Sequence, residues 1–415
     1  MLNVTEQEIR RIEQEIEELA ATALMEDGTV WRATYTEEDA KGLALLRGWM
    51  EDGGMIVRPD AAGNLLGRIE GVSERVILAG SHRDTVRNGG DYDGALGVIT
   101  ALNAAAALYE EFGQPQRTIE VIATAEEEGS RFISSYAGSH YITGTLMQEL
   151  LDERCEEGIT LREAIAAAGF EGTEGGPGTK RYDIDRFLEL HIEQGAFLEQ
   201  LGKQVGIVEN IVGLWSGELL FHGQQNHAGT TLMSIRKDPV PAAARLIGEM
   251  TDWANGKDDQ VMITFGEINV QPGKYNVIPD TVRISYDLRS GNKALLEEGL
   301  QKMQAFMAAL QDGITGEVVI GGLDVPAAMD KGGVGQLERI AQERGLAYQR
   351  MNSGAGHDAQ VFALQYKTNM IFVPSHDGVS HSTLEYTAIE DIAAGYGLLK
   401  EYLYELAWEG REDEE

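Results

Sequence analysis

This sequence predicts an α/β fold: a mixed, mostly parallel sheet flanked by helices, interrupted by an inserted ferredoxin-like α+β domain. Its 415 residues exceed the size at which a single core keeps growing, so two domains are expected. Four short runs rich in Val, Ile and Leu (Arg75–Ala79, Thr118–Ala123, Phe187–Leu190 and Asn369–Pro374) alternate with helical stretches, as parallel strands covered on both faces do. Between about Leu214 and Leu323 the pattern changes.

Taken in order, that middle stretch reads strand Gly217–His222, helix Pro239–Asn255, strand Gln260–Val270, strand Thr281–Asp287, helix Lys293–Gln311 and strand Glu317–Ile320. This βαββαβ order is the split βαβ arrangement of a small ferredoxin-like domain. Helix–strand alternation then resumes through Gly335–Arg344, Ala347–Met351 and Asn369–Pro374, which marks the middle stretch as an insertion. The expected domains are residues 1–212 and 326–415 together, with 213–325 inserted, and hinges near Val212–Gly217 and Gly321–Pro326.

Composition excludes several functions. Hydrophobic residues make up 43% and charged residues 25%, and no apolar run has the length that crosses a bilayer, so a membrane protein is not expected. The N-terminal stretch is charged and amphipathic, without a secretory apolar region, and a cytoplasmic location is expected. A formal charge of −34 repels nucleic-acid phosphates and anionic membranes. The acidic tail Glu409–Glu415 reads as a solvated end. With Cys155 as the single cysteine, no intrachain disulfide or thiolate-rich zinc site can form, so any metal must be held by His and carboxylates.

Such groups are where an active site would need them. GSHRDT, AEEEGSRF, LHIEQG and SHDGVSHS each follow one of the four apolar runs, and DYDGALG comes about eleven residues after His82. Open α/β sheets bind ligands at the C-terminal ends of their strands, and mixed imidazole and carboxylate shells suit zinc, manganese and similar divalent ions. One polar cluster at a loop end means little, because loops are polar; the coincidence of several carries the argument.

The segments GSHRDTVRNGGDYDGALGV, AEEEGSRF, ELHIEQG, NHAGTT, NVIPD, SGAGHDA and GVSHS resemble the metal-dependent aminoacylase and carboxypeptidase (peptidase) family, in its branch of N-carbamoyl-L-amino-acid hydrolases and allantoate amidohydrolases. The resemblance spans nearly the whole chain, in the family's order and spacing. It implies two divalent ions per subunit (Zn, Mn, Co or Ni), one held by His82, Asp93 and His191, the other by Asp93, Glu128 and His381, with Asp93 bridging. It implies Glu127 as general acid/base, moving the proton of a water activated between the metals. Asp84 would orient His82 through its second ring nitrogen. His227 would stabilise the oxyanion, Arg289 would grip a substrate carboxylate, and Gln194, Asn276 and His357 would hydrogen-bond the ureido group. The inserted domain would also join two subunits into a homodimer.

Plainer readings stand beside these. Arg289 could form a strand-end salt bridge with Asp287, His227 a loop hydrogen bond, and Gln194 and Asn276 could brace turns beside Gly195 and Pro279. Gly89, Gly90 and Gly94 read as backbone freedom around the metal loop, and no G-x-G-x-x-G follows a strand to bind a dinucleotide. Two residues depart from the family pattern: His376, open between touching substrate and facing solvent, and Leu232, where a proline is usual after NHAGTT. The leading function is cleavage of the ureido C–N bond of a small carboxylate such as an N-carbamoyl-L-amino acid or allantoate. An aminoacylase or dipeptidase is the second reading and a non-catalytic metal-binding relic the third, the latter disfavoured by Glu127 standing beside Glu128.

Overall fold

The computed structural model describes residues 1–132, 135–170, 178 and 180–410; the end of the acidic tail, from residue 411, lies outside them. The chain divides into two compact units, Met1–Glu209 with Met329–Glu415, and Asn210–Ala328.

In the first unit, β1 (Ser73–His82), β2 (Arg117–Thr124), β3 (Ile184–Ile192) and β4 (Lys367–Val373) lie side by side in the order β2-β1-β3-β4, all parallel. Antiparallel strands extend both flanks: Leu65–Ile69 pairs with β2, and Val205–Ile211 with β4. The sheet is thus mixed, with a parallel centre. Val76, Ile77, Leu78 and Ala79 are fully buried, which is why these strands read as unbroken apolar runs. Helix Ala95–Phe112 packs on the sheet and against helix Ile389–Ala407, which also meets the sheet, and is buried around most of its circumference.

A buried ion pair braces the chain just after β1. The Arg83 guanidinium meets Asp39 through Nε–Oδ1 at 2.7 Å and Nη2–Oδ2 at 3.1 Å, and the Arg83 carbonyl accepts from Arg32 Nε. Planar, two-point pairing of this kind fixes direction as well as charge.

The second unit holds a five-stranded antiparallel sheet. Ile268–Gln271, Thr281–Ser290, Gly213–His222 and Thr315–Leu323 follow one another, and Met262–Thr264 also pairs with Thr281–Ser290. Val282, Ile284, Tyr286 and Leu288 alternate inward toward helices Pro239–Asn255 and Lys293–Ala308, around a core that includes Leu219, Phe221, Leu246, Leu296 and Met303. The single strand expected over Gln260–Val270 is in fact two. Thr264 faces Asp287 and Ile268 faces Ile284, so four steps on one strand oppose three on the other, and the extra residue breaks the ladder as a bulge does. No helix among the described residues is long and apolar enough to cross a membrane.

Candidate metal centre

The parallel strands deliver their polar residues to one end of the sheet. His82 closes β1, His191 is the penultimate residue of β3, and Glu126, Glu127 and Glu128 follow β2. His381 arrives on the chain after β4, in a left-handed conformation with φ 53°. Asp93 sits on the turn that starts helix Ala95–Phe112. There the Ala95 N–H bonds back to the Asp93 carbonyl across Gly94, whose φ of 66° and ψ of −49° make a γ-turn.

The Asp93 carboxylate is the hub. Oδ1 lies 3.1 Å from His191 Nε2 and 3.6 Å from His82 Nε2, and Oδ2 lies 3.1 Å from His381 Nε2. Glu128 Oε2 stands 3.6 Å from His381 Nε2, and Glu127 Oε2 3.9 Å from His82 Nε2. Two backbone carbonyls set the imidazoles: His82 Nδ1 meets the Asp84 carbonyl and His191 Nδ1 the Ile192 carbonyl, each at 2.9 Å. Both rings therefore turn Nε2 toward Asp93, and these two nitrogens are 3.4 Å apart.

These residues fit a pair of divalent ions. Asp93 Oδ1 and Glu128 Oε1 are buried without a hydrogen-bond donor, a costly state for a carboxylate oxygen unless a cation faces it. The donor-to-donor spacings cluster near the edge of about 3.3 Å expected for four ligands at about 2.0–2.1 Å around zinc. Donor atoms of His82, Asp93 and His191 converge as one group, and those of Asp93, Glu128 and His381 as another.

Among the protein groups alone, protons do the work of cations. Burial opposes protonation of His82, yet Glu127, Asp93 and Glu128 outweigh it and hold the imidazole well above its ordinary value. Hydrogen bonding to Asp93 pushes His381 up to about 9. Burial would raise Asp93, but its three histidine partners hold it well below the usual carboxylate range. Burial lifts Glu127 well above that range, with Glu128, Asp358 and Asp84 adding to it, and lifts Glu128 to about 8. A bound cation reverses this logic by favouring the deprotonated ligands.

Asp84 and His357 are each held in a definite way. Asp84 meets the second ring nitrogen of His82 through its backbone carbonyl, while its carboxylate accepts the backbone N–H of Glu127 at 3.1 Å and of Glu128 at 3.2 Å and so aims the two glutamates. His357 is buried, its Nε2 3.0 Å from Ser353 Oγ and its ring edge-on to His191 with centroids 4.5 Å apart, so it backs a candidate ligand rather than presenting itself to solvent. Burial and the neighbouring His191 hold it well below its ordinary value, hence neutral.

Gln194 joins the centre directly, its Nε2 donating to Asp93 Oδ2 at 2.9 Å. His376 stands on the surface with Nδ1 2.7 Å from Glu199 Oε1. Glu385 went unremarked in the sequence, yet its Oε1 accepts the backbone N–H of Tyr92 and of Asp93.

The second unit carries the other expected residues. Asn226–His227 and Val277–Ile278 form a two-stranded ladder, which places NHAGTT beside NVIPD, and the Asn276 carbonyl accepts from the Ala228 N–H at 3.0 Å. His227 Nδ1 accepts from the N–H groups of Gly229 and Thr230, so the ring proton sits on Nε2. The Arg289 guanidinium is gripped at two points by Asp287, at 2.8 and 2.9 Å.

Fold and site together define an α/β protein with a candidate metal centre at the ends of its parallel strands. The model of peptidase family M20/M25/M40 matches residues 78–405, and the chain belongs to that family. Its relatives include the allantoate amidohydrolase of Bacillus subtilis, 40% identical over 95% of this chain and 96% of that one. The N-carbamoyl-L-amino acid amidohydrolase of Geobacillus stearothermophilus is 35% identical over 96% and 98%. A hydantoinase/carbamoylase family amidase from Burkholderia multivorans superposes with a TM-score of 0.87 at 29% identity, covering 95% of this chain and 97% of that one.

Proposed function

We propose that this protein is a two-metal amidohydrolase that cleaves the ureido C–N bond of a small carboxylate, with allantoate the first substrate to test and N-carbamoyl-L-amino acids the second. The observation that carries the reading is the Asp93 carboxylate with three imidazole Nε2 atoms converging on its two oxygens and Glu127 and Glu128 beside it. Identities of 40% and 38% to two allantoate amidohydrolases, against 35% to an N-carbamoyl-L-amino acid amidohydrolase, support the order of substrates.

His82, Asp93 and His191 would hold one ion and Asp93, Glu128 and His381 the other, and ions there supply Lewis acidity toward a carbonyl and acidify water. Glu127 is the proton carrier: it takes the proton of the attacking water and delivers it to the leaving nitrogen as the C–N bond breaks. Burial raises its carboxyl above the usual range, the direction in which proton-transferring carboxylates are commonly shifted. Asp84 holds the Glu127 amide so that the side chain departs from a fixed point. From the inserted unit, the Nε2–H of neutral His227 is suited to donate to a developing oxyanion. Arg289 is suited to a substrate carboxylate, for which it would exchange or share Asp287. A homodimer through the inserted unit accords with the exposed Leu232, Met233, Ile235 and Tyr275, and light scattering of the purified protein tests it.

The deciding experiment is a panel of allantoate, several N-carbamoyl amino acids and several N-acyl amino acids, assayed by release of ammonia or amine after chelation and reconstitution with Zn, Mn, Co or Ni. Activity on ureido substrates that chelation abolishes and metal restores is expected. Activity confined to N-acyl substrates would favour the aminoacylase reading, and activity indifferent to chelation would overturn the proposal.

A further inference from the structure

The carboxylate of Glu385 is buried against the turn that carries Asp93. Its Oε1 accepts the backbone N–H groups of Tyr92 at 2.9 Å and Asp93 at 3.0 Å. Its Oε2 accepts the hydroxyl of Ser380 at 2.8 Å, and that hydroxyl oxygen lies 3.4 Å from Asp93 Oδ2. One side chain thus ties together the backbone of the hub carboxylate and the residue immediately before His381. The seat is shaped for it: a Cβ at Gly90 would come within 2.5 Å of the Glu385 side chain, so only glycine lets the Gly90–Asp93 turn close over the carboxylate.

We infer that Glu385 is a positioning residue that sets the separation of Asp93 from His381, and with it the affinity for the second of the two ions. This rests on the two-ion reading above. His82 and His191 are oriented by the Asp84 and Ile192 carbonyls and do not depend on Glu385, whereas the loop bearing His381 meets the Asp93 turn through it. Metal-centre partners of this kind change affinity by about 10- to 100-fold when removed. The effect here is asymmetric: loss of Glu385 frees His381 and the Asp93 backbone while leaving two imidazoles in place.

The test is a titration of the chelator-stripped full-length protein with Co2+, followed by visible absorption and calorimetry, which resolves the two equivalents without reference to turnover. Glu385→Ala should weaken the second equivalent about 10- to 100-fold and the first far less, and Glu385→Gln, which keeps an oxygen for the two amides, should recover most of the loss. A second equivalent unchanged in Glu385→Ala, an equal weakening of both equivalents, or a Gln variant no better than Ala would each overturn the inference. If Glu385→Ala does not fold, Gly90→Ala decides, because its Cβ displaces the carboxylate without deleting it; the same selective loss supports the inference and a two-step titration like the wild type's overturns it. A wild type that takes up a single ion would overturn the two-ion reading itself, and the role of Glu385 with it.

Discussion

Gly94→Ala probes how tightly the hub of the centre is built. Gly94 is the middle of a γ-turn, with φ 66° and ψ −49°, a backbone conformation that costs a residue with a Cβ about 1–3 kcal/mol. The added Cβ would also lie 2.3 Å from both Cε1 and Nδ1 of the His82 ring. Ordinary carbon contacts begin near 3.5 Å, so the ring must retreat by about 1 Å. It is fully buried and tied to the Asp84 carbonyl at 2.9 Å, so strain adds about 1–3 kcal/mol. Ligand distances tolerate only about 0.2 Å, and a shift of that size removes His82 from any ion it holds. Gly28→Ala is the matched control, because Gly28 has φ 86° and nothing within 4 Å of its Cβ position, leaving a backbone cost of about 1–2 kcal/mol. Urea unfolding of stripped protein, paired with zinc competition against a chelator, separates the two effects. The expected result is a loss of about 2–6 kcal/mol and a zinc affinity at least about 100-fold weaker for Gly94→Ala, against a small stability loss and wild-type affinity for Gly28→Ala. If Gly94→Ala bound zinc like the wild type, or cost no more than Gly28→Ala, the contact with His82 would not be the constraint argued here.

Glu127→Gln should keep full metal content and lower kcat on the ureido substrate by about 100- to 10,000-fold, the usual worth of a general acid–base group; a loss under about tenfold removes Glu127 from the proton path. Asp39→Ala strands the fully buried Arg83 guanidinium and should cost about 3–5 kcal/mol in urea unfolding, while a loss under about 1 kcal/mol would mean that Arg83 finds another partner. Glu15, buried against Asn103 with a 2.6 Å hydrogen bond, is raised from 4.5 to about 7 chiefly by burial. The folded protein therefore holds this proton after the unfolded chain has released it, so the contribution to stability is complete below pH 4.5 and is lost as pH rises through about 7. Glu15→Gln should remove about 3 kcal/mol of that fall between pH 4.5 and 8, and an unaltered stability–pH profile would refute the assignment.

The four central strands were legible because each is buried on both faces and must be apolar throughout, so the change from Val, Ile and Leu to His and acid marks the strand end. The second unit was legible through its alternation, but the break in Gln260–Val270 was not, since a bulge is a matter of register against the partner strand and leaves only Gly266 as a local trace. At the centre, sequence gave residue types without saying which atom of a residue does the work. That Asp84 orients His82 could be expected, but not that its carbonyl takes the bond while its carboxylate turns to the amides after β2. The resemblance implied a substrate contact for His357 without showing its surroundings: the ring packs edge-on between His191 and Phe372. Glu385 lies in an unremarkable Leu-Glu-Tyr run, and the amides it binds are more than 290 residues earlier in the chain, a distance no local pattern spans.

The same burial that makes the centre reactive makes it expensive to fold. Asp84, Asp93, Glu126, Glu127, Glu189, Asp358 and Glu385 are all buried around the strand ends, and an uncompensated buried carboxylate is among the costliest groups a protein can hold. Most of them are met by donors from the scaffold. Asp84 and Glu126 accept backbone N–H groups, and Glu189 takes the Ser81 hydroxyl and the Ala359 amide, so their charge or proton is shared with the scaffold. Asp93 Oδ1 and Glu128 Oε1 have no such donor. Had the chain been selected for stability alone, donors would be expected at these two oxygens as at the others, since satisfied polar groups are the rule in protein interiors. Asp93 Oδ1, which faces the His82 and His191 imidazoles, and Glu128 Oε1 are left without donors, as is Gln194 Oε1 beside them, which fits a place for cations; metal uptake should then stabilise the fold as well as enable its chemistry.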